Sequence, residues 1–208
     1  MRSKTLLMLA GAGVLFSACI LSVNPFYTEK DATFDPRLVG EWTTPDSKGS
    51  CRFEDAGDKK YRFTVTEQNG AEGKKGAFYA CLFKLKENLF LDITPRKVKL
   101  REDQADMVGM TLIPGHLLIR VRQLEPTLKA DFFDWDWLQN YLEKNPKALA
   151  HRRVGEDNKS LVLTATTREL QRFVLKHLKN AELFKIEPPD TGLVRGKIAS
   201  PGAVTPAK

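Results

Sequence analysis

The chain reads as an α+β protein rich in β-structure, an antiparallel curved sheet or incomplete barrel followed by two or three C-terminal helices. Three observations predict this class. Tyr61, Phe63 and Val65 alternate with Arg62, Thr64 and Thr66, the period of a strand with one buried face. Turn residues recur at short intervals, among them Pro45-Asp46, Gly57-Asp58, Glu87-Asn88, Pro114-Gly115 and Glu125-Pro126. After Phe133 the apolar spacing changes to a helical one. Strands first and helices afterwards suit one β-rich domain with helices packed on one side.

The elements follow in order. Asp35-Pro36 opens a strand over Leu38 to Thr44, and Ser50 to Glu54 forms a second. The Tyr61–Val65 alternation is a third, and the glycines at 70, 73 and 76 make a long hairpin loop. Phe78 to Lys86 and Leu89 to Thr94 pair across a tight turn, with Tyr79, Cys81, Phe83 and Leu85 on one face. Met107–Ile113, Leu117–Gln123 and Thr127–Phe133 are further strands. Asp134 is an N-cap for a helix carrying Leu138, Tyr141 and Leu142, which Asn145-Pro146 ends. Ser160 to Ala165 is a last strand. Thr166-Thr167-Arg168-Glu169 is a capping box for a helix with Leu170, Phe173, Val174 and Leu178 inward.

Residues 1–18 have the layout of a secretory signal: Arg2 and Lys4, an apolar run from Leu6 to Phe16, then small residues. The run is too short to span a bilayer. Residues 19–36 read as a tether, 37–187 as one domain, and 188–208 as a disordered tail of Pro, Gly, Ala and Ser. The chain has 33 basic and 26 acidic residues; without Arg2 and Lys4 the net charge falls from +7 to +5. Basic and acidic residues are interleaved, and no basic block with aromatics forms a nucleic-acid groove, so no nucleic-acid partner is expected.

Phe16-Ser17-Ala18-Cys19 resembles the lipobox of bacterial lipoproteins, with Phe16 where Leu is usual. The resemblance implies that Cys19 is the lipidated first residue of the mature chain. It implies a membrane partner through that anchor and a place in the bacterial cell envelope; Ile20 rather than Asp after the cysteine favours the outer membrane, facing the periplasm. Cys51 and Cys81 then remain as an even pair in an exported protein, which suggests a disulfide worth roughly 3–4 kcal/mol. Each sits on an apolar strand face, so both can point inward.

Gly40-Glu41-Trp42, early in the first strand, resembles the Gly-x-Trp signature of the lipocalins. That implies a ligand-binding barrel, incomplete here because helices interrupt the strands, with Trp42 packed at its closed end beneath an arginine, for which Arg120 and Arg122 are candidates. Three longer stretches, NPFYTEKDATFDPRLVGEW, DFFDWDWLQNYLEKNP and LTATTRELQRFVLKH, look like a group of bacterial envelope lipoproteins. This broader resemblance implies a domain and no activity.

No constellation for catalysis stands out. His116, His151 and His177 are far apart and match no zinc pattern. His177 borders a helix core face as a packed neutral ring. Asp131, Asp134 and Asp136 suit capping at a strand–helix junction better than acid–base work. There is no nucleophile elbow or phosphate loop. The expectation is a non-enzymatic, lipid-anchored protein without cofactor or metal that binds an apolar or amphipathic ligand, with Tyr61, Phe63, Tyr79 and Phe83 facing Phe173 and Val174. The alternative is an accessory subunit that docks on another envelope protein through its helices.

Overall fold

The computed structural model describes residues 20–47, 49–67, 74–96, 113–155, 160–180, 182–185 and 192–196. Two short strands, β1 (Leu21–Ser22) and β2 (Ala32–Thr33), precede a 3-10 turn at Pro36–Leu38. A meander of strands follows: β3 (Gly40–Thr43), β4 (Gly49–Gly57), β5 (Lys60–Glu67), β6 (Lys74–Leu85), β7 (Asn88–Pro95), β8 (Leu117–Gln123) and β9 (Thr127–Phe133). Helix α1 (Trp135–Lys144), β10 (His151–Val154), β11 (Ser160–Leu163) and helix α2 (Thr167–His177) form an insertion. The chain then returns through β12 (Phe184–Lys185) and β13 (Leu193–Arg195).

The barrel is closed, with eight antiparallel strands, and this corrects the expectation of an open sheet or incomplete barrel. Each strand from β3 to β9 pairs with the next, and β13 pairs with both β9 and β3. The helical insertion does not prevent closure, because it leaves the barrel after β9 and β13 comes back to fill the gap. Closure satisfies the backbone donors and acceptors that β3 and β9 would otherwise expose as edges.

Residues 192–196 therefore depart from the disordered tail expected over 188–208. Three residues with one half-buried apolar side chain, Leu193, carry little sequence signal, but two ready-made edges supply the backbone pairing. The tether expectation changes as well. Ile20 and Phe26 are buried, β1 pairs in parallel with β11, and β2 pairs with β6. The stretch that reads as aperiodic is a strap along the outer barrel wall. Its order comes from tertiary contacts rather than from a repeating pattern.

Two cores result. The barrel interior holds Leu38, Trp42, Phe53, Tyr61, Phe63, Leu82, Leu91 and their neighbours. The second core lies outside the barrel, between β6–β9 and a cover made of the strap, α1, α2 and the β1-β11-β10 sheet. Phe83, Phe90, Phe133 and Phe184 stack through it at 5.5–5.9 Å between ring centroids. β6 and β7 are thus buried on both faces, so Phe83 points away from Tyr61 and Phe63, and Tyr79 points out and is exposed. The Tyr61, Phe63, Tyr79 and Phe83 set does not share one interior. Phe83, Phe173 and Val174 share the outer core.

Both helices start where their caps place them. Asp134 Oδ1 accepts the Trp137 N–H at 2.6 Å, and Thr166 and Glu169 close the capping box. After α1 the chain turns through Asn145–Ala148 without a further helix. The expected strand over Met107–Ile113 falls outside the described residues except for Ile113, which is not in a strand.

Candidate functional site: the barrel interior

The proximal end of the barrel is plugged. Asp35 caps the 3-10 turn by accepting the Arg37 N–H at 3.0 Å, and its bonds to Arg37 hold its carboxyl below the usual range. The turn drives Leu38 into the barrel, where the Leu38 carbonyl accepts the Trp42 indole N–H at 2.9 Å. Tyr61 is wholly buried at the same end. Its hydroxyl accepts the Asp35 N–H at 2.7 Å and donates to the Asp35 carbonyl at 3.1 Å, and Phe34 stacks on its ring at 5.0 Å. Burial pushes the Tyr61 phenol up to about 12, so it stays protonated.

Arg195 seals this plug. Its guanidinium lies over Trp42, 4.6 Å from the ring centroid, and donates to the carbonyls of Val39 and Arg37 and to Glu125 Oε1. Gly40 makes that approach feasible. A Cβ at Gly40 would lie 2.8 Å from Arg195 Nη1, and Gly40 holds a φ of 133° that L side chains rarely adopt. Gly40 and Trp42 therefore belong together: one leaves room for the cation that the other binds. The expected arginine over Trp42 is present, but it is neither Arg120 nor Arg122. Arg120 lies near Phe184 on the outer wall, and Arg122 pairs with buried Asp131 at 2.7 Å. Arg195 was hidden from the sequence reading because it stands in the stretch that composition marks as a tail.

Along the barrel axis the burial of inward side chains changes. Leu38, Trp42, Tyr61 and Leu82 at or near the proximal end have no exposed area. Midway, Cys51, Phe63 and Ile119 each retain 8%. At the distal end Val65, Phe78, Leu117 and Phe132 are only partly buried. Every one of these groups is apolar. The Phe78 ring folds over Gly76, where a Cβ would meet it at 2.7 Å, and lies 5.9 Å from Phe63. The exposure does not follow a uniform gradient, since distal Ile93 keeps 3% and Leu89 toward the proximal end is partly buried; the two ends differ in the plug of Leu38, Trp42, Tyr61 and Arg195 at one and the partly buried Val65, Phe78, Leu117 and Phe132 at the other.

Cys51 and Cys81 are both buried and unbonded, which corrects the disulfide expectation. Cys51 lies inside the barrel with Phe53. Cys81 has the parity of Phe83 and Leu85 and points to the outer core, so a barrel wall separates the thiols. Inward placement was misread because β6 is apolar on both faces. Burial pushes the Cys51 thiol up to about 12. Burial, then the Asp92 carboxylate, raises Cys81 to about 11. Neither is an activated nucleophile.

Beside Cys81 the outer wall holds a polar cluster that the sequence does not announce. Asp92 pairs across the strands with Cys81 and is buried. Its Oδ2 accepts the Phe26 N–H at 2.8 Å, and its Oδ1 lies 2.6 Å from His116 Nδ1. His116 also exchanges two backbone bonds with Ser22, at 2.8 and 2.9 Å. The Tyr27 hydroxyl bonds to Cys81. All four residues fasten the strap to the wall. His116 thus meets Asp92, and the three acids 131, 134 and 136 serve separately: an ion pair, a cap and an exposed first-turn residue. His177 packs among Trp137, Tyr141 and Phe173, with ring centroids 4.6–5.4 Å away and Nε2 buried without a partner.

Among the described residues no group of three His, Cys, Asp or Glu side chains lies in metal-binding reach, and no helix is long and apolar enough to cross a membrane. The chain matches no protein-family model, no curated protein and no solved structure.

Proposed function

We infer that this protein is a non-enzymatic, lipid-anchored envelope protein whose lipocalin-like barrel takes an apolar or amphipathic ligand through its distal end. The contrast between a plugged proximal end and partly buried apolar side chains at the distal end carries the reading. A barrel closed for stability alone can be packed evenly at both ends; here one end is plugged by Leu38, Trp42, Tyr61 and Arg195, while Val65, Phe78, Leu117 and Phe132 keep apolar surface at the other. Such surface favours burial against a ligand by about 25 cal/mol per Å². The proximal geometry agrees, because a Gly-x-Trp strand under an arginine is the arrangement that the lipocalin resemblance implies. Binding rather than catalysis suits the titratable groups: both thiols stay protonated, and Asp92 and His116 are committed to holding the strap.

Anchoring through Cys19 completes the reading and rests on the lipobox resemblance. Intact mass of the protein from native membranes should show acylated Cys19 at the mature N-terminus, and Cys19→Ser should abolish membrane retention. A second reading, an accessory subunit docking through its helices, draws on the half-buried stack of Trp137 and Tyr141 at 5.0 Å. Binding of a hydrophobic fluorescent probe separates the two. Ligand binding predicts saturable uptake weakened several-fold by Phe78→Glu; the docking reading predicts uptake insensitive to that change.

A further inference from the structure

We propose that the outer face of the β1-β11-β10 sheet lies against the lipid bilayer and holds the barrel's distal end at the membrane surface. The proposal rests on the anchoring reading above and adds an orientation to it.

The first observation is the absence of slack beside the anchor. Ile20 retains 2% of its surface and packs in the outer core. A Cα lies about 3.8 Å from the next across a trans peptide. Acyl chains on Cys19 therefore start one residue from the folded body, and whichever surface surrounds Ile20 meets the bilayer.

That surface is apolar. Leu21, Val162 and Arg152 are register partners across β1, β11 and β10, so they share one face. Val23 and Val154 extend it by the two-residue strand period. Ile20 and Ser22, and Leu161 and Leu163, point the other way and are buried. On the outer face Leu21 is 36% exposed, Val23 38% and Val154 41%. Ile113, 70% exposed, stands two residues before Gly115, whose missing Cβ would fall 2.0 Å from Leu21 Cδ1. Three of the six large apolar side chains exposed among the described residues thus share this face; Ile113, Tyr79 and Val194 are the others. Arg152 is exposed on the same face, a cation suited to anionic headgroups. A patch of this kind on a monomer calls for an occupant. The anchor's position identifies it as the bilayer.

The patch is continuous with the barrel mouth. His116 bridges to Ser22, and Leu117, next along β8, lines the distal end, so patch and mouth are about two strand residues, or roughly 7 Å, apart. An apolar ligand leaving the bilayer would meet the mouth without crossing bulk water.

Nitroxide accessibility in vesicles tests the orientation. Full-length protein purified from native membranes is reconstituted in phosphatidylethanolamine–phosphatidylglycerol vesicles and labelled at Val23→Cys, Val154→Cys or Glu87→Cys; Glu87 marks the β6–β7 turn at the proximal end. Cys51 and Cys81 are buried and stay unlabelled. The expected result is a ratio of oxygen to nickel-chelate accessibility several-fold higher at 23 and 154 than at 87. Two patch positions guard against one variant failing to fold, and circular dichroism checks each. If acylated protein floats with the vesicles and the labels at 23 and 154 are as aqueous as that at 87, the orientation is overturned while anchoring stands. If mass shows Cys19 unmodified and the protein does not float, anchoring falls and the orientation falls with it.

Discussion

Gly40 is the residue on which the sealed end of the barrel turns. Any side chain there must adopt a φ of 133° and displace the guanidinium over Trp42. Gly40→Ala should lower unfolding stability by about 1–3 kcal/mol, the usual range for a residue forced into a sparsely populated backbone region. Equilibrium urea unfolding followed by tryptophan fluorescence reads it; an unchanged midpoint would contradict the role. The Gly-x-Trp triplet was legible in the sequence because glycine and tryptophan stand two apart on one strand face. Its third member was not, since Arg195 lies 153 positions beyond Trp42 in a stretch with no pattern. The thiols show a related limit. Parity along β6 is visible in the sequence, but with both faces apolar nothing local says which face enters the barrel, so Cys51 and Cys81 look like a pair and are not.

At the scale of elements, the two helices were the most legible parts, because capping is a local transaction between residues three apart. Asp134 and Thr166 bond the backbone as their positions predict. The strap was the least legible: its order depends on Asp92, His116 and β11, all distant in sequence. Where α1 meets α2, His177 gives the interface a pH dependence. Burial, then the charge of Lys176, holds its pKa below the ordinary 6.5. The unfolded chain therefore binds a proton more readily than the native one. This contribution to stability is complete above pH 6.5 and declines as pH falls toward the depressed native value. Asp31 and Asp35, also lowered, act in the same direction but only around and below their ordinary 3.8. His177→Phe keeps the aromatic packing and removes the proton, so the fall in melting temperature between pH 7 and pH 5 should become shallower. An identical slope in the variant would show that the ring is not strained by protonation.

For the whole molecule, the class was legible and the closure was not. Barrel strands β3 to β9 are readable as alternation and turns, with a further strand expected over Met107–Ile113 between β7 and β8, whereas the eighth barrel strand is three residues long and depends on edges that exist only once β3 and β9 have formed. Truncation before residue 192 should open the barrel, remove the Arg195 seal and bare two strand edges. Concentration-dependent association and a lower urea midpoint are the expected results, measured by light scattering and unfolding. A truncated chain as stable and monomeric as the parent would mean that β13 is dispensable.

Occupancy of the barrel is tested most directly by ligand titration. Full-length folded protein is titrated with a fluorescent fatty-acid analogue, alongside Phe78→Glu at the distal mouth and Tyr79→Ala, its neighbour on the outer wall. Saturable binding at one site per chain is expected, weakened several-fold by Phe78→Glu and unchanged by Tyr79→Ala. No saturable binding, or binding indifferent to Phe78→Glu, would contradict the ligand-binding reading.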